Sequence, residues 1–367
     1  MIVALLFLFS IVYMLMILLF AGAAATSGAR PGDGYRPRVS VIIAARNEEE
    51  QIGACLESIV RLSYPQELLE IIIVDDRSTD RTAEIVSRYT GRQAHIRVLH
   101  IEKENELFPG KTNAVMSAVD VSRGEILMFT DADCRVPPTW VENTVSYYSD
   151  PTVGVVAGFT SLIGENWFEE MQALDWFVLT SVAAATTRLG FPVTAVGTNL
   201  SVRREAYDSV GGYREIPFSV TEDYALFHAV TASGRWKARF PMDPATLVES
   251  TPCHDWKQLY DQKKRWFTGG RGMDAKSLLI FAFPYVFNFL ILLGAFFSPW
   301  WAVGLAVAIK LLVDYLLCLP ATLAFHRHSL LFEYPLFEVY YYMYVLTFPL
   351  LVIFRGQITW KERTFRN

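Results

Sequence analysis

Cysteine, charge and any basic excess are all scarce in this chain, and each shortage removes a class of protein. Four cysteines (Cys55, Cys134, Cys253 and Cys318) are scattered over 367 residues with no C-x-x-C pair. That excludes a zinc site or disulfide framework and fits a reducing compartment. Charged residues make up 19%, below the ~25% usual in soluble domains. The net charge is −5, so nothing resembles a basic footprint for nucleic acid. Neither a G-x-G-x-x-G fingerprint nor a Walker G-x-x-x-x-G-K-[ST] occurs, and dehydrogenase and P-loop readings therefore lack their phosphate cradle. The excess is apolar: 52% hydrophobic, 14% aromatic, mean hydropathy +0.25. Disorder and collagen-like repeats are thereby excluded. The length suggests about two domains.

The apolar excess is concentrated at the two ends. Residues 1–29 carry no charge, and Ile2–Phe20 is nearly all aliphatic or aromatic, long enough for one bilayer crossing over residues 1–24. A cleaved signal peptide is the rival reading, because small residues follow at 21–25. No Lys or Arg precedes the run, however, and it exceeds the usual h-region of about 7–15 residues. Arg30, Arg36 and Arg38 follow, which by the positive-inside rule places the next domain in the cytoplasm. Residues 30–276 read as that domain, a soluble α/β unit. A C-terminal membrane block at 277–354 then holds three apolar segments, near 278–297, 300–323 and 335–354, before a basic tail at 355–367. Three crossings leave Arg355, Lys361, Arg363 and Arg366 outside, against the charge rule. One segment is then re-entrant or interfacial, or the tail is an exception. Lys310 and Asp314 stand four apart in this block, and a structural pairing on one helix face is expected, although an intramembrane pair is also a functional hypothesis.

Within the soluble unit, strand-like and helix-like runs alternate. Val39–Ala45, Leu69–Val74, Ile96–Ile101 and Glu125–Thr130 read as buried strands. Glu48–Leu62, Thr79–Tyr89 and Lys111–Val121 read as helices between them. The expected fold is α/β, a mostly parallel sheet with helices on both faces. Ligands bind beyond the carboxyl ends of such strands, and two acidic clusters fall there.

Asp131 and Asp133 flank Ala132 just past a strand. Both carboxylates reach one hard divalent cation, Mg²⁺ or Mn²⁺, which takes oxygen ligands from one or two carboxylates plus substrate phosphates. An acidic loop capping the next helix is the plain alternative. Asp75 and Asp76 end the second strand; a carboxylate there accepts a base N–H, so Asp76 can read a uracil ring, while Ser78 or Thr79 caps the next helix. Lys111 follows Pro109-Gly110 and either faces a diphosphate as a point charge or is solvated. Glu222 and Asp223 open a helical run, serving its dipole or supplying a general base. Gln262, Arg265 and Trp266 share a helix face beside the membrane block: a phosphate clamp with an aromatic wall, or an interfacial anchor. Residues 166–196 are unusually apolar and read as either a membrane-surface helix with a lipid entry path or ordinary core. His254 reads as structural before it reads as a ligand.

In chain order these motifs are VDDRSTD, TDAD, TED and QKKRW, after an opening VSVIIAARNEE and before a closing ITWKERTFR. Together they resemble the membrane-bound family 2 glycosyltransferases with a GT-A domain, the group of cellulose and hyaluronan synthases and ceramide glucosyltransferase. The resemblance is strong over residues 36–270. It implies that Asp75 and Asp76 contact the uracil and ribose of a UDP-sugar, and that Asp131 helps hold the nucleotide and, with Asp133, the metal. It implies Asp223 as general base of an inverting displacement, with Glu222 beside it. Gln262 and Arg265 steady the leaving diphosphate, Trp266 lines the acceptor site, and Gly197 and Asn199 lie near the sugar. The expected reaction moves a hexose, glucose first, from a UDP-sugar to the hydroxyl of a membrane lipid, making a glycolipid or carotenoid glycoside. The expected place is the bacterial inner membrane, catalytic domain cytoplasmic. A processive polysaccharide synthase and a non-catalytic membrane scaffold are the competing expectations.

Overall fold

The computed structural model describes residues 1–27, 34–90, 95–353, 357–360 and 363–366, with side chains through Phe348 apart from Arg271. Arg30 and the basic side chains of the tail lie outside the described residues. After helix α1 (Ile2–Ala25) the chain builds β1 (Val39–Ala45), α2 (Ile52–Ile59), β2 (Leu69–Asp75), α3 (Thr82–Thr90), β3 (Ile96–His100), α4 (Lys111–Val121) and β4 (Ile126–Asp131). The four strands keep within one residue of their expected bounds and pair in parallel, β1 between β2 and β4. Next come α5 (Trp140–Ser146), β5 (Val153–Ala157), β6 (Thr160–Leu162), α6 (Trp167–Arg188), β7 (Leu200–Arg203), α7 (Arg204–Ser209), α8 (Gly212–Glu215), α9 (Glu222–Ala232), β8 (Lys237–Arg239) and β9 (Val248–Ser250). The main sheet runs β3-β2-β1-β4-β7-β5-β8, with β7 antiparallel to both neighbours.

Both faces of this sheet are covered, which is why its strands read as continuous apolar runs. Val41, Ile43, Ile71, Ile73 and Met128 pack with Ile52 and Leu56 of α2 and Trp140 of α5. Ile42, Ile72, Val74, Leu127 and Phe129 face the other way, toward Ala114 and Ala118 of α4, in a core continuous with α1 and α6.

α2 and α3 start three to four residues later than the sequence pattern suggests. The missing turns are spent on lacing two loops together. The Asn47 N–H donates to Ser78 Oγ (3.2 Å), the Thr79 N–H to Asn47 Oδ1 (2.9 Å), and the Glu49 N–H to Asp80 Oδ2 (3.0 Å). Ser78 and Thr79 therefore bind across to the neighbouring loop and do not cap α3; side chains of this type compete with helix formation in this way. Asn47 and Arg77, with φ of 51° and 57°, reverse the chain just past β1 and β2.

The C-terminal half continues with α10 (Trp256–Gly269), α11 (Ala275–Phe297), α12 (Trp300–Ala324), α13 (Tyr334–Ile353) and the hairpin β10 (Gln357–Trp360) and β11 (Arg363–Arg366). α1, α11 and α12 are long and apolar enough to cross a membrane. The C-terminal ends of α1 and α12 both meet the α/β domain. Ser27, after α1, accepts from the Met242 N–H (3.2 Å); Phe325, after α12, packs on Phe159 and Phe177. Leu15, Leu279, Phe296 and Leu312 face outward on these spans, the apolar belt of a membrane-associated protein. α13 instead turns back onto α10: Tyr340 meets Trp256, and Phe348 meets Tyr260 and Phe267.

Lys310 does pair with Asp314 (2.7 Å), and the cluster is larger than the sequence suggested. Glu338 of α13 joins Lys310 at 2.5 Å, and the Tyr13 hydroxyl of α1 donates to Asp314 at 2.6 Å. One buried network thus ties α1, α12 and α13 together, pairing charges that lipid could not satisfy.

Candidate active site

The carboxyl ends of β1, β2 and β4 open into a cavity of about 600 Å³ closed by α9 and α10, a size typical of small-molecule sites. Asp76 enters from β2, Asp131 and Asp133 from β4, Glu222 and Asp223 from α9, and Gln262, Arg265 and Trp266 from one face of α10. Motifs separated by nearly two hundred residues therefore share one wall-to-wall space.

Asp223 is held at both oxygens. Oδ2 accepts from the Gly197 backbone N–H (2.6 Å) and Oδ1 from the Tyr224 N–H (2.8 Å). Burial raises its pKa, the Glu222 carboxylate adds to that, and Lys111 opposes it; the result is pushed up from 3.8 to about 6. A carboxylate tuned toward neutrality suits proton abstraction. Lys111 lines the cavity and bridges Asp131 Oδ1 (2.6 Å) and Glu222 Oε1 (2.9 Å), so it is not simply solvated. Burial alone would lower its pKa, but Asp131 and Glu222 outweigh that and hold the ammonium well above the usual lysine range.

Asp133 receives the Thr251 hydroxyl and the Cys134 thiol, each at 3.4 Å. Seven carboxylates against three cations line the cavity, so added positive charge is needed before it can hold a diphosphate. Two hard carboxylates with room for phosphate oxygens fit Mg²⁺ or Mn²⁺, which keep few protein ligands. Among the described residues no group of three or more potential metal ligands gathers. Gln262 Oε1 is buried without a partner among the described residues, an acceptor left for a bound hydroxyl.

Two expected site residues have other work. Asp75 accepts the Ser78 N–H (3.2 Å) and meets His100 Nδ1 (3.1 Å), organising the turn that presents Asp76. Asn199 is a correction: its Oδ1 accepts from Trp140 Nε1 (2.9 Å), and its Nδ2 donates to the carbonyls of Phe159 (2.9 Å) and Thr246 (2.8 Å). That amide is fully used inside the core. Its neighbour Gly197 lines the cavity instead. His254 pairs with Glu169 (3.1 Å), joining α10's entry to α6.

The sequence reading missed Arg46, Glu48 and Asp261, all of which line the cavity. Arg46 was findable, since it ends β1 as Asp76 ends β2, and its Nη1 donates to the Asp76 carbonyl (3.1 Å). The pairing of Asp175 on α6 with Lys263 on α10 was also missed. No spacing rule links positions so far apart.

This geometry meets known proteins at the family level. Residues 126–355 match Glycosyl transferase family group 2 and residues 40–211 match Glycosyl transferase family 2. The chain belongs to this glycosyltransferase family and has a GT-A fold. It is 28% identical over 267 residues to the probable glycosyltransferase YdaM of Bacillus subtilis, covering 67% of this chain and 58% of that one. It is also 28% identical over 236 residues to a beta-monoglucosyldiacylglycerol synthase of Synechocystis, covering 64% and 48%. The chain thus spans about half the length of these relatives. Its fold matches a mannosyltransferase of Pyrobaculum calidifontis, solved with GDP-Man and Mn²⁺, at a TM-score of 0.62 and 20% identity, covering 92% of this chain and 98% of that one.

Proposed function

We propose that this protein transfers one hexose, glucose first, from a UDP-sugar to the hydroxyl of a membrane lipid, with inversion at the anomeric carbon. The observation that carries the reading is the gathering of Asp76, Asp131, Asp133, Asp223 and Trp266 around one cavity, in a chain whose α1, α11 and α12 are long and apolar enough to cross a membrane. The resemblance to glucosyldiacylglycerol synthases supports a lipid acceptor.

In this reading Asp76 accepts from the uracil ring, and Asp131 and Asp133 are the residues that would hold Mg²⁺ or Mn²⁺. The ion supplies positive charge that stabilises the leaving phosphate. Gln262 and Arg265 steady that group, and Trp266 lines the acceptor path. The acceptor oxygen attacks the anomeric carbon as the bond to the β-phosphate oxygen breaks. UDP leaves with the bonding electrons, and Asp223 takes the acceptor proton. Lys111 restrains Asp131 and Glu222 and so keeps Asp223 the free base. Residues 1–24 span the membrane, residues 30–276 form the catalytic domain, and residues 277–354 return to the membrane. Arg36 and Arg38 after α1 support a cytoplasmic catalytic domain at a bacterial inner membrane.

The test is UDP release by the protein in lipid nanodiscs, with Mg²⁺ or Mn²⁺, a panel of UDP- and GDP-sugars, and a membrane-lipid extract. Metal-dependent release that requires the extract and yields a glycosylated lipid supports the proposal. Release without lipid, with a growing carbohydrate, points to a polysaccharide synthase. No release with any donor points to a scaffold.

A further inference from the structure

A second cavity, of about 160 Å³, lies between the catalytic domain and the membrane block. Its walls are mostly apolar: Ile17 and Phe20 from α1, Leu179 and Val182 from α6, Ile280 from α11 and Phe337 from α13. The apolar part of a space of this size takes a short stretch of hydrocarbon chain. Phe281 on its wall is 36% exposed at the outer surface of α11, on the side that lipid reaches.

Trp266 joins this chamber to the catalytic cavity, since it lines both. It stands edge-on to Trp176, with ring centroids 5.5 Å apart. Lys263 lies 4.6 Å from the Trp266 ring centre and is engaged by Asp175. The chamber's buried polar groups are therefore spoken for. Asp175 pairs with Lys263, and Asp314 with Lys310 and Tyr13. Counting Glu338 behind them, three buried carboxylates face two lysines. An anionic head group crossing this chamber toward Trp266 meets that excess of negative charge.

We propose that this chamber binds the hydrocarbon chain of the acceptor and selects an uncharged lipid bearing a free hydroxyl over a lipid phosphate. The inference rests on the lipid-transfer reading and narrows it. The chain lies among α1, α6 and α11, and the hydroxyl end passes Trp266 toward Asp223. A base is useful only to an acceptor that still carries a proton to lose, so the charge of the chamber and the chemistry of the catalytic cavity select the same class.

The experiment uses the full chain in nanodiscs with a diacylglycerol carrying a diazirine in one acyl chain. After irradiation, labelled peptides are mapped by mass spectrometry, with unlabelled dioleoylglycerol or dioleoyl phosphatidic acid as competitor. The expected labels fall on residues 16–20 of α1 and 178–182 of α6, the walls of the chamber. Dioleoylglycerol should displace half the label at about tenfold lower concentration than phosphatidic acid. Labels confined to outward residues such as Leu279 and Phe296 overturn the chamber. Equal displacement by phosphatidic acid overturns the charge selection. Sugar transfer to lipid is followed separately in the same discs; its absence sinks the lipid-transfer reading, whereas the labelling pattern tests the chamber itself.

Discussion

The backbone N–H of Gly197 donates a 2.6 Å hydrogen bond to Oδ2 of Asp223. This contact fixes the carboxylate before any substrate arrives, and it explains why position 197 is glycine. A Cβ there would lie 2.9 Å from Oδ2 and 3.0 Å from the Asp223 Cβ. Gly197→Ala should therefore displace Asp223, lowering kcat by about 10²-fold with little change in donor KM. A steady-state comparison of the two constants checks this. An equal rise in KM would assign the glycine to donor binding.

As the proposed general base, Asp223 should also set a pH dependence. Its pKa is pushed up to about 6, and a base works only when deprotonated. Activity should be full above that value and fall as pH drops through it. Asp223→Asn should lower kcat by about 10²–10⁴-fold and remove this acid limb from the pH–rate profile. An acid limb that survives in the variant would belong to another group.

Lys111 acts on both sides of the cavity. Its positive charge opposes the rise in the Asp223 pKa, so Lys111→Met should move the acid limb of kcat to higher pH. The same change leaves Asp131 and Glu222 without their shared cation. Stability should fall by about 1.5–3 kcal/mol, measurable as a lower Tm in nanodiscs. An unmoved acid limb would show that Lys111 does not govern Asp223.

Asn199 should behave as a structural residue. Asn199→Ala removes three hydrogen bonds to Trp140, Phe159 and Thr246, stranding buried groups at a cost of about 3 kcal/mol. Thermal unfolding should shift down, while donor KM of the folded protein stays unchanged. A raised KM without a stability loss would return Asn199 to the substrate site.

The central strands were legible because each buries both faces, so that β-branched and aliphatic residues run unbroken through residues 41–45 and 71–74. The acidic pairs were legible as positions because they interrupt those runs at strand ends. Their division of labour was not. Asp75 and Asp76 are adjacent in sequence, yet one braces a turn and the other faces the cavity, since successive residues leave a strand in opposite directions. Helix starts were misjudged where Asn47 and Ser78 bind the facing loop in preference to their own helix.

Composition and local pattern alone thus determined an α/β domain between apolar ends and the order of its acidic motifs, because burial and periodicity are properties of neighbouring residues. Only the tertiary structure decided which partners those residues have. Lys111 meets Asp131 and Glu222, Asp175 meets Lys263, and Glu338 reaches Lys310. Each match depends on how helices cross the sheet and one another, and the energy of a buried charge depends on what lies across the gap from it.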